Sequence, residues 1–457
     1  MILILYALVL DVYSEQVIRI SGRALRPVVV PCGTEVVDLL QDLRDALAGD
    51  GPALLPHPPD GVPAPGLGPG LPLGPGEDDD ADPTVAVLST SGSTGPPRGA
   101  LLPASALLAA ASACHDRLSG PGRWLLALPA HHVAGFQVLV RSLVSGTVPV
   151  VQDLSGGFAP EGFVEAAGRL RGPRRYTALV PAQLVRLLDA GPAAVEALAG
   201  LDAVLLGGAA APPVLLRDAC EHGVRVVTTY GMSETCGGCV YDGVPLDGVR
   251  IALGSPRDAP TGAGTADGER VWIGGPVVAR GYRTLPRDAP PADPEHRRPC
   301  DGPGGDFHRA PDGTRWFRTR DLARWAGPVP VLEVLGRLDD LIVTGGLKVA
   351  PAVVEAALLA DPGIAQAVVF GVPDPRWGQR VVAAVVPADG AGRPEAAAVR
   401  ELGRAAGRHA APRQVLVLDS LPLRGPGKPD RRALRDLALR ASGRCGSGRP
   451  GDGPSGS

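Results

Sequence analysis

The sequence is nearly without lysine and methionine. Lys348 and Lys428 are the two lysines among 45 Lys and Arg residues, and Met1 and Met232 are the two methionines. Arginine, alanine, glycine and proline fill the space, as a GC-rich genome would produce. The two lysines that are left become candidates for places where arginine does not serve. Excess charge of either sign is also missing: the net charge is −3, and 20% of residues are charged. That excludes a nucleic-acid binder working by bulk positive charge. Hydrophobic residues make up 45% of the chain, which excludes a mostly disordered one. No apolar run is long enough to span a bilayer. Met1–Leu10 is apolar but short, and it lacks a basic lead and a small-residue cleavage site. It reads as a strand or as the product of a mis-assigned start codon. A disulfide framework is absent as well. The seven cysteines are odd in number and scattered, which favours reduced thiols and a cytoplasmic setting. Cys236 and Cys239 have redox-motif spacing, but their flanks read as a loop with two thiols.

What is present is length and alternation. A chain of 457 residues has room for two or three domains. Gly (62) and Pro (49) together are about a quarter of it, so some segments should be loop. Residues 57–83 read as a mobile Pro/Gly-rich connector ending in a solvated acidic run. Residues 284–315 read as a second such loop, and 442–457 as a disordered tail. No tandem repeat is visible. Between these segments, strand-like runs (Thr84–Leu88, Trp124–Leu128, Val148–Val151, Ala178–Val180, Ala203–Leu206, Val224–Thr228) alternate with helix-like ones (Ala104–Cys114, Gly162–Leu170, Ala182–Leu188, Pro213–His222). This alternation predicts an α/β core with mainly parallel sheets flanked by helices. A compact unit of about 100 residues follows Asp340 and reads as a small α+β domain.

The sharpest local signal follows the first of those strands. Ser89-Thr90-Ser91-Gly92-Ser93-Thr94-Gly95-Pro96-Pro97-Arg98-Gly99 puts three glycines, five hydroxyls and an arginine in one short stretch. Glycines allow close backbone approach, and N–H groups with hydroxyls can ring a phosphate. Arg98 would add a charge-assisted contact. This is not a Walker loop, because no Gly-Lys-Ser/Thr follows at the required spacing.

The loop resembles the phosphate loop of the adenylate-forming superfamily, which includes acyl-CoA synthetases, luciferases and peptide-synthetase adenylation domains. Further stretches resemble that superfamily's motifs in order: Tyr230-Gly231-Met232-Ser233-Glu234-Thr235; Gly268-Glu269 with Gly274–Tyr282; Trp316–Asp321; Gly336–Asp340 followed by Gly345-Gly346-Leu347-Lys348; and Gly427–Arg432. Within the superfamily, Pro129–Gly135, Ala178–Leu188, Val204–Ala209 and Thr319-Arg320-Asp321 resemble o-succinylbenzoate–CoA ligases of menaquinone biosynthesis. Most of the superfamily carries glycine where Arg320 stands.

The resemblance implies a fold, a reaction and a set of sites. The fold is a large N-terminal adenylate-forming domain (1–336), a hinge (337–340) and a small mobile α+β C-terminal domain (341–441). The reaction consumes ATP with Mg²⁺. A carboxylate attacks the α-phosphate, and the thiol of CoA then displaces AMP. Thr90, Ser91, Gly92, Ser93, Thr94, Gly95 and Arg98 would hold the β- and γ-phosphates, with Arg98 standing where most relatives carry lysine. Gly207, Gly208 and Ala209 would line one side of the adenine, opposite the face of Tyr230, within the run Thr229, Tyr230, Gly231, Met232 and Ser233. Glu234 would help hold Mg²⁺. Asp321 would bind the ribose hydroxyls with Arg337 nearby, and Asp339 is the hinge position. Lys428 would approach the α-phosphate and the attacking carboxylate. Gly345, Gly346 and Lys348 would approach CoA, although a structural turn explains them equally.

The implied acid is an aromatic dicarboxylate, so its pocket should hold a cation. Arg186 is the candidate, Arg141 the alternative, and each reads equally as a structural arginine. His132 would line the acyl pocket and Gly231 would abut the ring. A ligase for another aryl or fatty acid, and a non-catalytic AMP-binding regulator, are the rival readings. Neither a nucleic-acid partner nor a membrane span is expected, and a homodimer or higher oligomer is left open.

Overall fold

The computed structural model describes residues 22–90, 98–255, 268–284, 305–388, 390–424 and 428–443. The first sheet joins β1 (Leu25–Val29), β2 (Ala53–His57), β3 (Thr84–Ser89) and β4 (Gly99–Pro103), and a late strand at Gly281–Tyr282 completes it. β3 is apolar at almost every position and is buried from Thr84 to Leu88, as a strand covered on both faces must be. The glycine-rich loop connects β3 to β4, which pair antiparallel from Thr84↔Pro103 to Ser89↔Gly99.

The second sheet carries the site. Its strands are β5 (Arg123–Leu126), β6 (Val150–Val151), β7 (Arg175–Leu179), β8 (Ala203–Leu206), β9 (Val226–Met232), β10 (Gly237–Tyr241) and β11 (Val244–Pro245), in the order β11-β10-β9-β8-β7-β5-β6. From β6 through β9 all pairings are parallel; β10 and β11 are antiparallel. Alternate strand residues feed two cores, as the two-residue period of a strand requires. Trp124, Leu126, Tyr176 and Leu205 pack with α2 (Ala104–Arg117) and α3 (Val133–Val144), above α1 (Leu39–Ala48). Leu125, Leu179, Val204 and Leu206 pack on the other face with α4 (Pro160–Arg169), α5 (Pro181–Asp189), α6 (Pro192–Ala199) and α7 (Pro213–Glu221). All four helices of that layer begin with proline, the residue whose fixed φ and missing N–H cost least at the first helical position. Part of the high proline content therefore starts helices instead of marking loops.

A third sheet is wholly antiparallel: β12 (Arg250–Leu253), β13 (Glu269–Gly274), β15 (Phe307–Arg309), β16 (Arg315–Ala326) and β17 (Val331–Arg337), with Gly281–Tyr282 counted as β14. The chain then turns through Leu338–Asp340 into a small α+β unit. There β18 (Ile342–Thr344), β19 (Leu347–Val349), β20 (Ile364–Asp374), β21 (Gly378–Pro387) and β22 (Gln414–Val417) form a sheet under α8 (Pro351–Leu358) and α9 (Ala396–Arg404). The hairpin β23 (Leu423–Arg424) and β24 (Lys428–Pro429) leads into α10 (Arg431–Gly443), which buries Leu434 and Ala438, one turn apart. Among the described residues, no helix is long and apolar enough to cross a membrane.

Two readings of the chain need correction. Residues 57–83 form a packed cover, not a mobile connector: Leu67 and Leu73 are buried. Glu77, 3% exposed, accepts hydrogen bonds from Gly74 N (2.7 Å) and Thr284 Oγ1 (2.9 Å) and pairs with the buried Arg283. The acidic run is not simply solvated, because Asp78 pairs with Arg23 (3.3 Å) and Asp82 with Arg280 (3.7 Å) and Arg315 (3.6 Å). The tail expected from residue 442 begins inside α10; its remainder, the apolar start Met1–Leu10 and residues 285–304 of the second loop lie outside the described residues.

Removing one partner of a buried ion pair strands the other charge. Glu77→Ala should lower unfolding free energy by about 3–5 kcal/mol in chemical denaturation, whereas Asp79→Ala, at the exposed part of the run, should change it by less than about 0.5 kcal/mol.

Candidate functional site

In an open α/β sheet, ligands sit beyond the carboxyl ends of the parallel strands. Here β5 runs out into Pro129–His132, β7 into Val180, β8 into Gly207–Ala209, and β9 ends in Tyr230–Met232. A short turn at Ser233–Thr235 follows, fixed by Thr235 Oγ1, which accepts from Met232 N at 2.9 Å. This turn holds Glu234 in a buried position, and Glu234 O accepts from Ala279 N at 2.8 Å.

Two clusters of polar side chains meet at this end. In the first, Tyr230 donates its hydroxyl to Asp321 Oδ2 at 2.7 Å. Asp321 faces Arg337 across the β16–β17 register, with Arg337 Nε 3.6 Å from Oδ1. Thr319 Oγ1 accepts from Asp321 N at 3.0 Å and fixes the backbone there. Burial pushes the Asp321 carboxyl up, against the opposing pull of Tyr230 and Arg337. Asp339 follows in the turn, bonded to Arg320 at 3.1 Å and 3.9 Å from Arg337.

In the second cluster, Tyr282 donates its hydroxyl to Glu234 Oε1 at 2.6 Å. The Arg98 guanidinium lies 3.4 Å above the Tyr282 ring and donates to Asp306 Oδ2 at 2.7 Å. Arg98 closes the base of the glycine-rich loop, its carbonyl accepting from Thr90 N at 2.7 Å. Burial raises the Glu234 carboxyl above its ordinary range; the Tyr282 hydrogen bond and Arg98 pull it back. Among the described residues no three His, Cys, Asp or Glu side chains converge on a metal position. A hard cation that keeps waters and takes phosphate oxygens needs only one protein carboxylate, and Glu234 suits it.

A sequence model described as AMP-binding enzyme matches residues 30–283, and one described as AMP-binding enzyme C-terminal domain matches residues 353–428. The chain belongs to the AMP-binding enzyme family. A Mycobacterium tuberculosis family member named "Probable 2-succinylbenzoate--CoA ligase" is 47% identical over 412 residues, 90% of this chain and 97% of that protein. The o-succinylbenzoate CoA synthetase of Bacillus subtilis, solved with the acyl-adenylate intermediate OSB-AMP, is 26% identical with a TM-score of 0.61, covering 78% of this chain and 69% of that one. Another structure of that synthetase, with ATP and magnesium ion, gives 25% and 0.58, covering 75% and 67%.

The remaining candidates of this family member are placed as follows. Ser91, Gly92, Ser93, Thr94 and Gly95 lie outside the described residues. Gly207 leaves room for Thr229, whose Oγ1 would be 2.3 Å from an added Cβ, and Gly208 has φ +81°. Gly231 is required by sheet pairing itself, since a Cβ there would sit 2.0 Å from Gly237 O. His132 is exposed at the start of α3, its ring 4.3 Å from that of His131. Burial and His132 push the His131 imidazole down to about 4. Gly345 and Gly346 both have positive φ in the two-residue turn between Thr344 and its partner Leu347, so the hairpin alone calls for them. Lys348 is exposed on β19. Lys428 lies on β24, paired with Arg424 on β23.

Arg186 is not brought to the cluster. It lies on α5, which leaves the carboxyl end of β7 and runs back along the sheet at about 1.5 Å per residue. There it is exposed, 5.6 Å from the Phe158 ring. Arg141 is buried on α3, 3.4 Å from the Tyr241 hydroxyl, and its Nε has no hydrogen-bond partner. One turn earlier Gln137 is fully buried, with both amide atoms unpartnered, beside Gly237. Sequence reasoning missed Gln137, Tyr282 and Asp306. Tyr282 ends the motif Gly274–Tyr282, a signal that was available; Asp306 has none. Cys236 and Cys239 are buried free thiols whose ionisation burial opposes, Cys239 being pushed up to about 12. They carry no redox motif.

The folded state holds the Glu234 proton more tightly than the unfolded chain, so this group subtracts stability as pH rises from the ordinary glutamate value through its raised one. Tyr282→Phe removes the bond that opposes the rise. The ¹³C carboxyl titration of Glu234 should then move to still higher pH; an unmoved or lowered midpoint would contradict this assignment.

Proposed function

We propose that this chain is an ATP- and Mg²⁺-dependent acid–CoA ligase whose acid is 2-succinylbenzoate, the step that feeds menaquinone synthesis. One observation carries the reading. An aromatic face, a carboxylate and a guanidinium (Tyr230, Asp321, Arg337) are in contact at the end of β9, and the buried Glu234 lies four residues on. Identity of 47% to the mycobacterial protein supports the choice of acid.

In this reading the Tyr230 ring, held by its hydroxyl, offers a face to adenine, while Asp321 accepts from the ribose hydroxyls. Arg98 and the glycine-rich loop take the β- and γ-phosphates. Glu234 would hold Mg²⁺, which supplies charge neutralisation on the triphosphate. Activation joins two anions, so cations must stand where charge accumulates. Lys428 is assigned to the α-phosphate and the attacking carboxylate; a single well-placed donor of this kind is worth ~10²–10³ in rate. Thiol attack then forms the C–S bond and releases AMP. For the non-reacting carboxylate, the buried guanidinium on the pocket side of the sheet is Arg141, not the outward Arg186.

Purified protein should convert 2-succinylbenzoate, ATP and CoA to the acyl-CoA by mass spectrometry, with benzoate and a medium-chain fatty acid unused. Product from those acids alone would discard the substrate and keep the chemistry. Lys428→Ala should abolish adenylate formation and largely spare thioester formation from supplied acyl-adenylate. Equal loss of both half-reactions would remove its assigned role.

A further inference from the structure

Guanidinium groups crowd one face of the antiparallel sheet beside the phosphate loop. Arg318 and Arg320 alternate onto the same face of β16. Arg270 on β13 stands opposite Leu322, and Arg318, Arg320, Asp306 and Asp339 all act on it electrostatically. Arg98 reaches in from the base of the loop. The carboxylates are fewer: among the described residues, Asp306 serves Arg98 (2.7 Å) and Arg318 (3.8 Å), and Asp339 serves Arg320 (3.1 Å) and Arg337 (3.9 Å). Arg337 has Asp321 as its own partner. Arg98, Arg270, Arg318 and Arg320 are therefore left facing Asp306 and Asp339, an excess of two positive charges. Like charges held together are unfavourable unless an anion joins them. The Arg270 guanidinium shows the effect: burial and then Arg318 push its ionisation down. These side chains remain reachable, with Arg98 43%, Arg318 27% and Arg320 49% exposed.

We propose that Arg270, Arg318 and Arg320 form an anion site for a diphosphate group, next to the nucleotide, with Asp306 as the counter-ion that the incoming anion displaces. The excess of two cations matches a linked pair of phosphates, and planar guanidinium forks suit their oxygens. Asp306 lies between two arginines, so when Arg98 turns to a phosphate Asp306 keeps Arg318. Arg320 stands where most of the superfamily carries glycine, which makes the site a property of this chain. The proposal rests on the ligase reading for its two sources of diphosphate: the pyrophosphate expelled in activation, and the diphosphate of CoA.

The test is calorimetric binding of inorganic pyrophosphate, and separately of CoA, to the full chain at fixed 0.15 M salt, with no turnover required. Arg270→Gln should weaken binding of at least one probe about tenfold, the scale of a lost charged hydrogen bond. Arg270→Lys should restore part of it. Asp306→Asn should tighten binding several-fold, a direction that general damage to the fold would not give. Loss confined to pyrophosphate assigns the site to product, and loss confined to CoA assigns it to the thiol substrate. Equal affinities in wild type and all variants, no binding of either probe by wild type, or weaker binding in Asp306→Asn would overturn the proposal. The acyl-CoA assay reports separately, so an inactive protein that binds pyrophosphate through Arg270 would refute the ligase reading alone.

Discussion

The hydrogen bond between Tyr230 and Asp321 joins two parts of the chain that are built on different principles. Tyr230 ends a strand of a sheet whose core pairings are parallel, with helices on both faces. Asp321 sits mid-strand in an antiparallel sheet almost a hundred residues later. Neither side chain has a functional geometry alone. The contact at 2.7 Å fixes the tyrosine ring at the mouth of the parallel sheet and carries Arg337 with it through the cross-strand register. The turn at Leu338–Asp340 then launches the small α+β unit from the same place. The position of that unit thus follows from where β16 and β17 dock.

The second constraint is charge. This end of the molecule gathers Arg98, Arg337, Arg320, Arg318 and Arg270, and holds each against carboxylates or aromatic rings. Glu234 is kept buried by a tyrosine hydroxyl instead of a cation. A site that must draw in a triphosphate and a carboxylate needs unspent positive charge, and such charge is stable only where resting counter-ions can be exchanged. The Arg98–Asp306 pair, partly exposed and stacked on Tyr282, has that character. The Glu77–Arg283 pair, fully enclosed under residues 57–83, does not; it is structural.

Much of this was legible in the sequence because it is local. Ala203–Leu206 is β8 to the residue, and the alternation of apolar runs gave the parallel core. Other features depend on partners far along the chain. Residues 57–83 look mobile by composition, and only the distant Arg283 and Thr284 explain why Glu77 is buried. The antiparallel sheet was hidden because β16 alternates aromatic and arginine residues, so its stretch registered as a motif and not as a strand. Arg186 was placed by neighbouring sequence, but its height on α5 puts it on the outer surface. Glycines misled in the other direction. Gly231, Gly345 and Gly346 invite a ligand, yet sheet pairing and a tight hairpin turn already demand them.

The central claim is that Tyr230, Asp321 and Arg337 cradle a nucleotide on which an acid is activated before CoA takes part. The most direct measurement is exchange of labelled pyrophosphate into ATP in the absence of CoA. The account predicts exchange that requires 2-succinylbenzoate and Mg²⁺ and that falls by at least about tenfold in Asp321→Asn, the scale expected when a charged hydrogen bond to the ribose is lost. Exchange that proceeds without an acid, or that survives unchanged in Asp321→Asn, would contradict it.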